Sequence, residues 1–325
     1  MAGRVQAGVN MIKVSAIIPT RNPRKDYFFR VLDSIAAQKF GSGESELLIV
    51  DNGSTPPLAE WEELSARPGL RIIREEKAGC IHARNRGWRE SVGQLLVFVD
   101  DDALLCGDYF AKAWEIAVQF PGLGCFGGSI HLQCEVEPEA WMLPFLDSLA
   151  ARHVTRPVWS NNHQWNTIPY GVGMCVRREA FGDIVESLEE MAEFSVTRGR
   201  RKGARLGSSI ADDTVIGFLM CDKGWGCGLF PELSLQHLIP KARLERDYLI
   251  WLSCSNGYRE KTLEILRGLN KPFWMEALRS LVFMLAGLKP GVPGACLHIW
   301  AKCRGEWMAI LQGSGPSVEK KPAFH

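Results

Sequence analysis

Phe98-Val99-Asp100-Asp101-Asp102 decides the prediction of the fold, because an apolar run meets three consecutive carboxylates there. The run itself, Gln94-Leu95-Leu96-Val97-Phe98-Val99, is short and rich in β-branched and aromatic residues, which is typical of a buried strand in a parallel sheet. The carboxylates would then follow the carboxyl end of that strand. Three like charges so close raise one another's pKa unless a cation compensates them, so the triplet favours a divalent-metal site. An exposed acidic turn is the alternative, since Asp is common where strands end.

Strand and helix patterns alternate along the chain before this stretch. Apolar runs predict strands over residues 14–19, 46–50 and 70–74, and helical periodicity predicts helices over 26–38, 61–66 and 81–92. This alternation is typical of a parallel sheet with right-handed crossover connections. We therefore predict an α/β fold with a mostly parallel, Rossmann-like sheet flanked by helices.

Polar residues follow three of the predicted strands at the point where each strand ends. Thr20-Arg21-Asn22 follows the first strand, Asp51-Asn52 the second, and the acidic triplet the fourth. In sheets of this kind, ligands bind in the crevice beyond the carboxyl ends of the strands. The chain has neither a Gly-x-Gly-x-x-Gly after the first strand nor a P-loop sequence, so a dinucleotide or P-loop site is not supported.

The pattern after the triplet is less regular. We predict a helix over 108–119, a strand over 124–130, an irregular segment over 138–169, a strand over 170–178 and a helix over 179–193. Residues 198–205 are strongly basic and contain glycine, so they predict a loop that either closes over an anionic ligand or is simply solvated. A helix then opens near Ile210, with Asp212 and Asp213 in its first turn, where the helix dipole favours negative charge.

Composition limits the classes of function. The net charge is +1 over 325 residues, so no nucleic-acid partner is predicted. The ten cysteines show neither Cys-x-x-Cys nor zinc-type spacing and are expected to be reduced thiols, mostly buried.

There is no signal-peptide pattern and no run of about 18 apolar residues. The expected location is cytoplasmic.

The ordered set of motifs resembles the family 2 inverting glycosyltransferases, which have the GT-A fold and use nucleotide sugars. The resemblance covers residues 14–248 and is carried by Ile17-Ile18-Pro19-Thr20-Arg21-Asn22, Ile49-Val50-Asp51-Asn52-Gly53-Ser54, Gly79 with Ala83-Arg84-Asn85-Arg86-Gly87, Phe98-Val99-Asp100-Asp101-Asp102, Gly171-Val172-Gly173-Met174 and Asp212-Asp213. It implies a GT-A domain over 14–245, preceded by an extension (1–13) and followed by a helical region (246–313) and a flexible tail (314–325).

The resemblance also implies where the donor binds. Residues expected to border the nucleotide sugar are Pro19, Thr20, Arg21, Asn22, Asp51, Asn52, Arg84, Asp100 and Asp101. Among them, Asp51 would contact the base or ribose, and Arg84 would lie near the diphosphate. The donor would be a nucleoside-diphosphate sugar, with UDP the commonest nucleotide in the family.

A metal site is implied at the same place. Asp102 would hold Mn²⁺ or Mg²⁺, and Asp100 would contact either the ribose or the metal. His237 would complete the metal site or touch the diphosphate, although a histidine satisfied by the protein explains it nearly as well. Arg243 is a further candidate for neutralising the diphosphate.

The acceptor side and the catalytic base are implied by the remaining motifs. Asp213 matches the family's catalytic base, and Asp212, which replaces a Glu, is expected on the acceptor side together with Gly171 and Gly173. A helix that merely places acids in its first turn is the plainer account of the pair. Two departures are visible, because Leu219 stands where the family often has Arg and Gly173 where Asn is frequent.

The region after residue 248 contains two apolar stretches punctuated by Lys and Arg, over 273–288 and 297–311. Such helices either pack on the catalytic domain, form a homo-oligomer, or lie on the inner face of the membrane. The acceptor is expected to be a glycan or a lipid-linked molecule in polysaccharide or glycolipid synthesis. A sugar nucleotidyltransferase or a non-catalytic glycan-binding scaffold is the alternative function.

Overall fold

The structure, a computed structural model, describes residues 12–41, 43–202, 212–269, 275, 277–278, 281–282 and 294–313, with the side chains of 194–202, 296, 312 and 313 outside that description. The predicted N-terminal extension up to residue 11 and the predicted tail from 314 also lie outside it. Within these ranges, no helix has both the length and the apolar character needed to cross a bilayer.

Nine strands and eight α-helices have both ends within the described residues, and residues 275, 277–278 and 281–282 are also helical. The strands are β1 (Val14–Thr20), β2 (Ser45–Asp51), β3 (Leu70–Arg74), β4 (Leu95–Phe98), β5 (Ala103–Leu105), β6 (Leu123–Cys134), β7 (Val158–Ser160), β8 (Met174–Arg177) and β9 (Gly226–Ile239). The helices are α1 (Lys25–Ala36), α2 (Glu62–Ser65), α3 (Cys80–Glu90), α4 (Tyr109–Gln119), α5 (Arg178–Lys202), α6 (Asp212–Asp222), α7 (Arg246–Leu266) and α8 (Ala295–Gly313). Short 3-10 helices cover Leu58–Glu60, Leu143–Leu149, Trp165–Thr167 and Lys241–Leu244.

One sheet runs through the molecule in the order β3-β2-β1-β4-β8-β6-β9-β5, with β7 beside β9. The first four strands are parallel, whereas β8 runs antiparallel to both β4 and β6. The predicted α/β class with a parallel, helix-flanked half is therefore confirmed, and the sheet as a whole is mixed.

Both faces of the parallel half are buried, as its continuous apolar runs predict. Successive residues of β4 alternate between two cores: Leu95 and Val97 join one, and Leu96 and Phe98 the other. Helices α1 and α4 cover the first core, while α3, α5 and α6 cover the second. Each fully buried side chain of this size contributes about 1.5–3 kcal/mol, so this alternation fixes the register of the strand.

Strand β9 brings the second half of the sheet to the acidic triplet. It pairs with β5, so that Ala103 lies opposite His237, and the backbone N–H of Leu238 donates to the carbonyl of Asp102 at 2.8 Å. A histidine 135 positions away in sequence is thus placed beside the triplet by backbone pairing.

Helix α5 corrects the predicted basic loop over 198–205. Residues 198–202 continue the helix, and 203–205 lie outside the described residues. The sequence prediction was wrong for 198–202 because Arg and Lys are good helix formers, and one Gly costs only about 1 kcal/mol in a helix.

The C-terminal helices α7 and α8 cross at two glycines. A methyl group on Gly257 would meet the carbonyl oxygen of Lys302, and one on Gly305 would overlap the carbonyl oxygen of Cys254. The two backbones therefore approach each other directly. A third apolar cluster, which includes Phe145, Ile239 and Leu249, joins this pair to the sheet. Packing on the rest of the molecule, one of the three expectations for this region, is what the structure shows for α8; most of 273–288 lies outside the described residues.

Candidate functional site

The turns after β1 and β4 are hydrogen-bonded to each other at the carboxyl edge of the sheet. The hydroxyl of Thr20 donates to the Asp101 carboxylate. Burial raises the pKa of Asp101 to about 6. Asp101 therefore links the end of β1 to the turn after β4. This hydrogen bond holds the acidic triplet against the first strand.

The turn after β1 is also fixed to the turn after β2. Asn22 adopts a left-handed conformation (φ +52°), its N–H donates to Ser54 Oγ at 2.8 Å, and its side-chain oxygen accepts the N–H of Thr55 at 2.8 Å. Pro19 is half-buried and Arg21 is exposed at the same turn. The residues that the sequence predicts to border the nucleotide thus lie in two turns, after β1 and after β2, which are hydrogen-bonded to each other.

Asp51 and Asn52 support the neighbouring loops. Asp51 accepts the N–H groups of Ser54 (2.8 Å) and Leu58 (3.0 Å) and pairs with Arg74 at 2.7 Å. Burial opposes its ionisation, but these hydrogen bonds lower the pKa of Asp51 below its usual value. Asn52 donates to the carbonyls of residues 75 and 77 and accepts the N–H of residue 79. The contact of Asp51 with a base or ribose remains a prediction.

Asp102 lies in a buried cluster with His237 and Arg243. Its Oδ1 is 3.3 Å from His237 Nε2, and its Oδ2 is 2.9 Å from Arg243 Nη1, which is also 3.4 Å from the same imidazole nitrogen. Burial disfavours the charged carboxylate, yet His237 and Arg243 together hold the pKa of Asp102 below its usual value. The sequence reasoning ranked Arg243 only as a further candidate, whereas the structure places it at the centre of the site.

The Asp102 carboxylate and the His237 imidazole are groups that can bind a divalent metal ion. The Nδ1–H of His237 donates to the carbonyl of Leu149 at 3.0 Å, which turns Nε2 towards the carboxylate of Asp102. Metal-bound histidines are held in this way by a hydrogen bond from their second nitrogen. One carboxylate and one imidazole suit Mn²⁺, with phosphate oxygens and water completing the shell. Within the described residues no group of three or more His, Cys, Asp and Glu side chains could hold a metal. The substrate would therefore have to supply ligands.

Arg84 is the most unusual side chain of the site. It is 5% exposed, and its Nε and Nη1 atoms make no hydrogen bond within the part of the chain that the structure describes. Burial opposes its charge, but the nearby Cys80, Asp212, Asp100 and Asp213 raise the pKa of Arg84 above its usual value. A buried guanidinium with unused donors is costly, so it indicates an anionic ligand.

The acids of α6 lie next to Arg84. The Asp213 carboxylate accepts the N–H of Gly171 at 3.0 Å and that of Thr214 at 2.8 Å, which fixes its orientation. A methyl group on Gly171 would lie 2.5 Å from the Arg84 guanidinium, so any larger residue here would displace the end of that side chain. Asp212 has a buried Oδ1 with no hydrogen bond among the described residues, and burial raises the pKa of this carboxyl to about 6.

A cavity of about 510 Å³ connects these groups to the C-terminal helices. Its lining includes Arg84, Asp100, Gly171, Asp212 and Asp213. The C-terminal helices α7 and α8 contribute Asn256, Arg259, Glu260, His298 and Lys302. This volume lies within the usual range for a ligand site, about 300–1,000 Å³.

Two other positions singled out in the sequence lie away from this cavity. Gly173 has φ +72°, and its carbonyl accepts the hydroxyl of Tyr109 at 2.6 Å, so its role here is to form a buried turn. Leu219 is 4% exposed in the second core, where it packs with α6 neighbours. Leu219 is buried and apolar, so it cannot make the contacts of the arginine that the family often has at this position.

Sequence reasoning missed Arg74, Asn256, Arg259 and Lys302. Arg74 ends a strand at the ligand edge, and that position was a usable signal. The other three are spread over two helices and form no motif, so only their proximity in the fold identifies them.

The family model described as Glycosyl transferase family 2 matches residues 15–184, more than half of the chain. The chain belongs to glycosyl transferase family 2. This family match covers the Thr20, Asp51, Arg84, Asp100–Asp102 and Gly171 positions, and it ends before the acids of α6 and before His237. The predicted family is thus confirmed.

Curated glycosyltransferases match about a third of the chain or less. Glycosyltransferase GlyA of Streptococcus pneumoniae is 30% identical over 112 residues, which are 33% of this chain and 15% of that protein. Glycosyltransferase AglE of Haloferax volcanii is 35% identical over 92 residues, 27% of this chain and 30% of that protein. The poly(ribitol-phosphate) beta-N-acetylglucosaminyltransferase TarS of Staphylococcus aureus is 33% identical over 105 residues, 31% of this chain and 17% of that protein. The matched part is therefore less than a third of the length of each of these relatives.

Solved structures resemble this chain over a greater length but at low identity. Residues 1–349 of TarS from S. aureus align with 94% of this chain and 93% of that chain, at 15% identity and a TM-score of 0.47. The mannosyltransferase PcManGT from Pyrobaculum calidifontis, solved with GDP-Man and Mn²⁺, aligns with 93% of this chain and 73% of that chain, at 17% identity and a TM-score of 0.49.

Proposed function

We propose that the protein is a metal-dependent, inverting glycosyltransferase of the hexosyltransferase type, which moves a sugar from a nucleoside-diphosphate sugar to an acceptor hydroxyl. The observation that carries the proposal is the position of Arg84. Two nitrogens of its buried guanidinium have no hydrogen-bond partner among the described residues, and the group lies near Asp100 and the acids of α6, in the crevice beyond the parallel strands. A diphosphate is the ligand that would satisfy this charge, and the family match favours a transferase over a sugar nucleotidyltransferase or a scaffold.

The departing diphosphate would need more positive charge than Arg84 alone supplies. We propose that Asp102 and His237 hold Mn²⁺ or Mg²⁺ there, a metal that would act as a Lewis acid on the phosphate oxygens. Arg243 contacts both side chains where the metal would bind, so its guanidinium would have to turn towards the phosphate oxygens, whose charge it would offset. Asp100 lines the same cavity as Arg84 and is close enough to Asp102 and His237 for their charges to act on it, so it would contact the ribose or the metal.

Asp213 is proposed as the catalytic base. Its carboxylate is held by two backbone N–H groups and retains free lone pairs, so it can accept the proton of the acceptor hydroxyl. Attack with the help of a base on the face opposite the diphosphate inverts the anomeric centre, through a transition state resembling an oxocarbenium ion. Asp212 would support the acceptor side.

The donor nucleotide is proposed to be UDP, and the acceptor a glycan or lipid-linked molecule. The TarS relative is named for N-acetylglucosamine transfer, and the PcManGT structure contains GDP-Man and Mn²⁺. The division into a catalytic domain over 14–245 and a helical region over 246–313 is part of the same proposal.

A nucleotide-sugar hydrolysis screen tests this function. The purified protein is incubated with UDP-, GDP- and dTDP-sugars in Mn²⁺, Mg²⁺ or EDTA, and the released nucleoside diphosphate is measured. We expect one donor to be hydrolysed in metal only, with NMR showing an inverted anomeric configuration in the first sugar released. Release with retained configuration would reject the inverting mechanism, and no release from any donor, with or without simple sugar acceptors, would reject the function.

A further inference from the structure

We infer that α7 and α8 form the acceptor-binding wall of the active site, and that Asn256 and Arg259 recognise a neutral, hydroxyl-rich sugar as acceptor. This inference rests on the proposed function and deepens it. Both helices lie beyond residue 184, where the family match ends. The recognition residues therefore belong to this chain's own C-terminal region.

The position of the wall relative to the proposed base is the first argument. The same cavity is lined by Asp212 and Asp213 of α6 and by Asn256, Arg259 and Lys302 of α7 and α8. A hydroxyl group that reaches Asp213 must have the rest of its molecule in this cavity. The acceptor is the reactant whose hydroxyl meets the base, so its remaining groups face α7 and α8.

The rigidity of the wall is the second argument. Gly257 and Gly305 bring the two helix backbones into direct contact, one residue from Asn256 and one turn from Lys302. Lys302 is further held by Glu260 at 2.9 Å. Side chains on such a fixed crossing can define a binding geometry without large reorganisation on binding.

The charge of the lining selects the class of acceptor. Five carboxylates line the cavity, namely Asp100, Asp147, Asp212, Asp213 and Glu260, against three cationic side chains, Arg84, Arg259 and Lys302. Burial, followed by the effect of Lys302, lowers the pKa of His298, so its imidazole is neutral at pH 7. An excess of carboxylates disfavours an anionic acceptor. Sugar hydroxyls both donate and accept hydrogen bonds, so they suit a lining that mixes carboxylates, an amide, hydroxyls and guanidinium groups.

Within the described part of the chain, Arg259 has an unused hydrogen-bond donor in this wall. Its Nε is buried and has no hydrogen-bond partner among the residues that the structure describes, while its charge acts on Asp212 across the cavity. Each guanidinium offers five N–H donors in a fixed plane. Adjacent acceptor hydroxyls would receive two of them, which would also orient the acceptor towards α6.

The test compares Arg259→Ala and Asn256→Ala with Arg304→Ala, which removes an exposed charge from α8. The probes are methyl glycosides of glucose, galactose, mannose and N-acetylglucosamine, with glucuronic acid and glycerol phosphate as anionic probes. We expect transfer to a neutral glycoside, with its KM raised about 10-fold or more in Arg259→Ala and Asn256→Ala. Donor hydrolysis by water and the donor KM should stay within about 2-fold of the parent value in all three variants, and Arg304→Ala should leave the acceptor KM unchanged.

The outcomes separate this inference from the proposed function. Hydrolysis without transfer to any neutral glycoside, or transfer to the anionic probes alone, would overturn the inference and leave the proposed function intact. An unchanged acceptor KM in both wall variants would also overturn it. Loss of donor hydrolysis in Arg259→Ala with an intact fold would show a donor-side role instead, and that too would overturn the inference. The absence of hydrolysis and transfer in the parent protein would reject the proposed function itself.

Discussion

Arg84, Asp212 and Asp213 show how individual side chains prepare this crevice for a charged reaction. Arg84 keeps its charge although it is buried, because the nearby Cys80, Asp212, Asp100 and Asp213 raise its pKa. Asp213 is fixed by the backbone, whereas Asp212 has a buried oxygen with no hydrogen bond from the described residues. Unsatisfied groups of this kind lower the stability of a free protein and strengthen the binding of a ligand that satisfies them.

Asp213→Asn tests the base directly. We expect sugar transfer to fall by about 100-fold or more, because the amide cannot accept the acceptor proton. Donor binding, measured by calorimetry with the nucleotide sugar, should be almost unchanged. Asp212→Asn is the matched control and should retain more transfer than Asp213→Asn. The opposite ranking would assign the base to Asp212.

The raised pKa of Asp212 predicts a change in stability with pH. In the unfolded chain this carboxyl titrates near 3.8, and burial raises its pKa in the folded protein to about 6. Between these values the folded state binds more protons, so the contribution of Asp212 to the free energy of unfolding falls as the pH rises and stays low above about pH 6. Asp212→Asn should therefore raise the free energy of unfolding of the ligand-free protein at pH 7.5 by on the order of 1–3 kcal/mol. Urea unfolding would measure this, and an equal gain at about pH 4 would contradict the electrostatic cause.

At the scale of elements, backbone pairing and helix crossing place the residues of the site. Strand β9 pairs with β5 and carries His237 to Asp102. The crossing of α7 and α8 places Arg259 and Lys302 on one wall of the cavity. None of these elements carries a recognisable motif at its site residue. Pairing or packing against a neighbouring element brings that residue into the site.

Gly305→Ala tests the helix crossing. In an isolated helix this change would stabilise by about 1 kcal/mol, but here the new methyl group would overlap the carbonyl oxygen of Cys254. We expect a net loss of about 1–3 kcal/mol in the free energy of unfolding. Gly122→Ala, where a methyl group meets no atom within 4 Å, is the control and should change stability little. A stabilised Gly305→Ala variant would show that the helices do not cross as described.

At the scale of the whole molecule, the mixed sheet joins the part of the chain that the family model matches to the part that follows it. The family match ends at residue 184, while the cavity is completed by α6, α7 and α8. Ligands that bridge these parts should stabilise the entire fold, because they bind only when both are assembled.

Thermal unfolding with nucleotides and metal tests this linkage. We expect UDP with Mn²⁺ to raise the Tm more than UDP in EDTA or Mn²⁺ alone, since a ligand at 100 times its Kd adds about 2.7 kcal/mol of stability. Asp102→Asn should remove the metal-dependent part of the shift and keep the effect of UDP alone. Equal shifts with Mn²⁺ and with EDTA would remove the metal from the proposed mechanism. GDP and dTDP in the same series test the nucleotide.

The sequence by itself determined the parallel strands, the family and the edge of the sheet where the polar residues lie. These follow from local patterns: continuous apolar runs form strands buried on both faces, and the turns after them must lie at one edge. The family resemblance also predicted that Arg84 lies near a diphosphate, which stays a prediction; the structure shows its buried guanidinium with two unused donors among the described residues.

Only the tertiary structure decided which distant side chains share the site. Arg243 reaches Asp102 across 141 positions of sequence, and Asn256, Arg259 and Lys302 meet the α6 acids through a helix crossing. It also showed that Asp51 is already bonded to its own loop and that Gly173 forms a buried turn. Such contacts depend on strand register, helix packing and burial, which are properties of the whole fold and leave no local pattern in the chain.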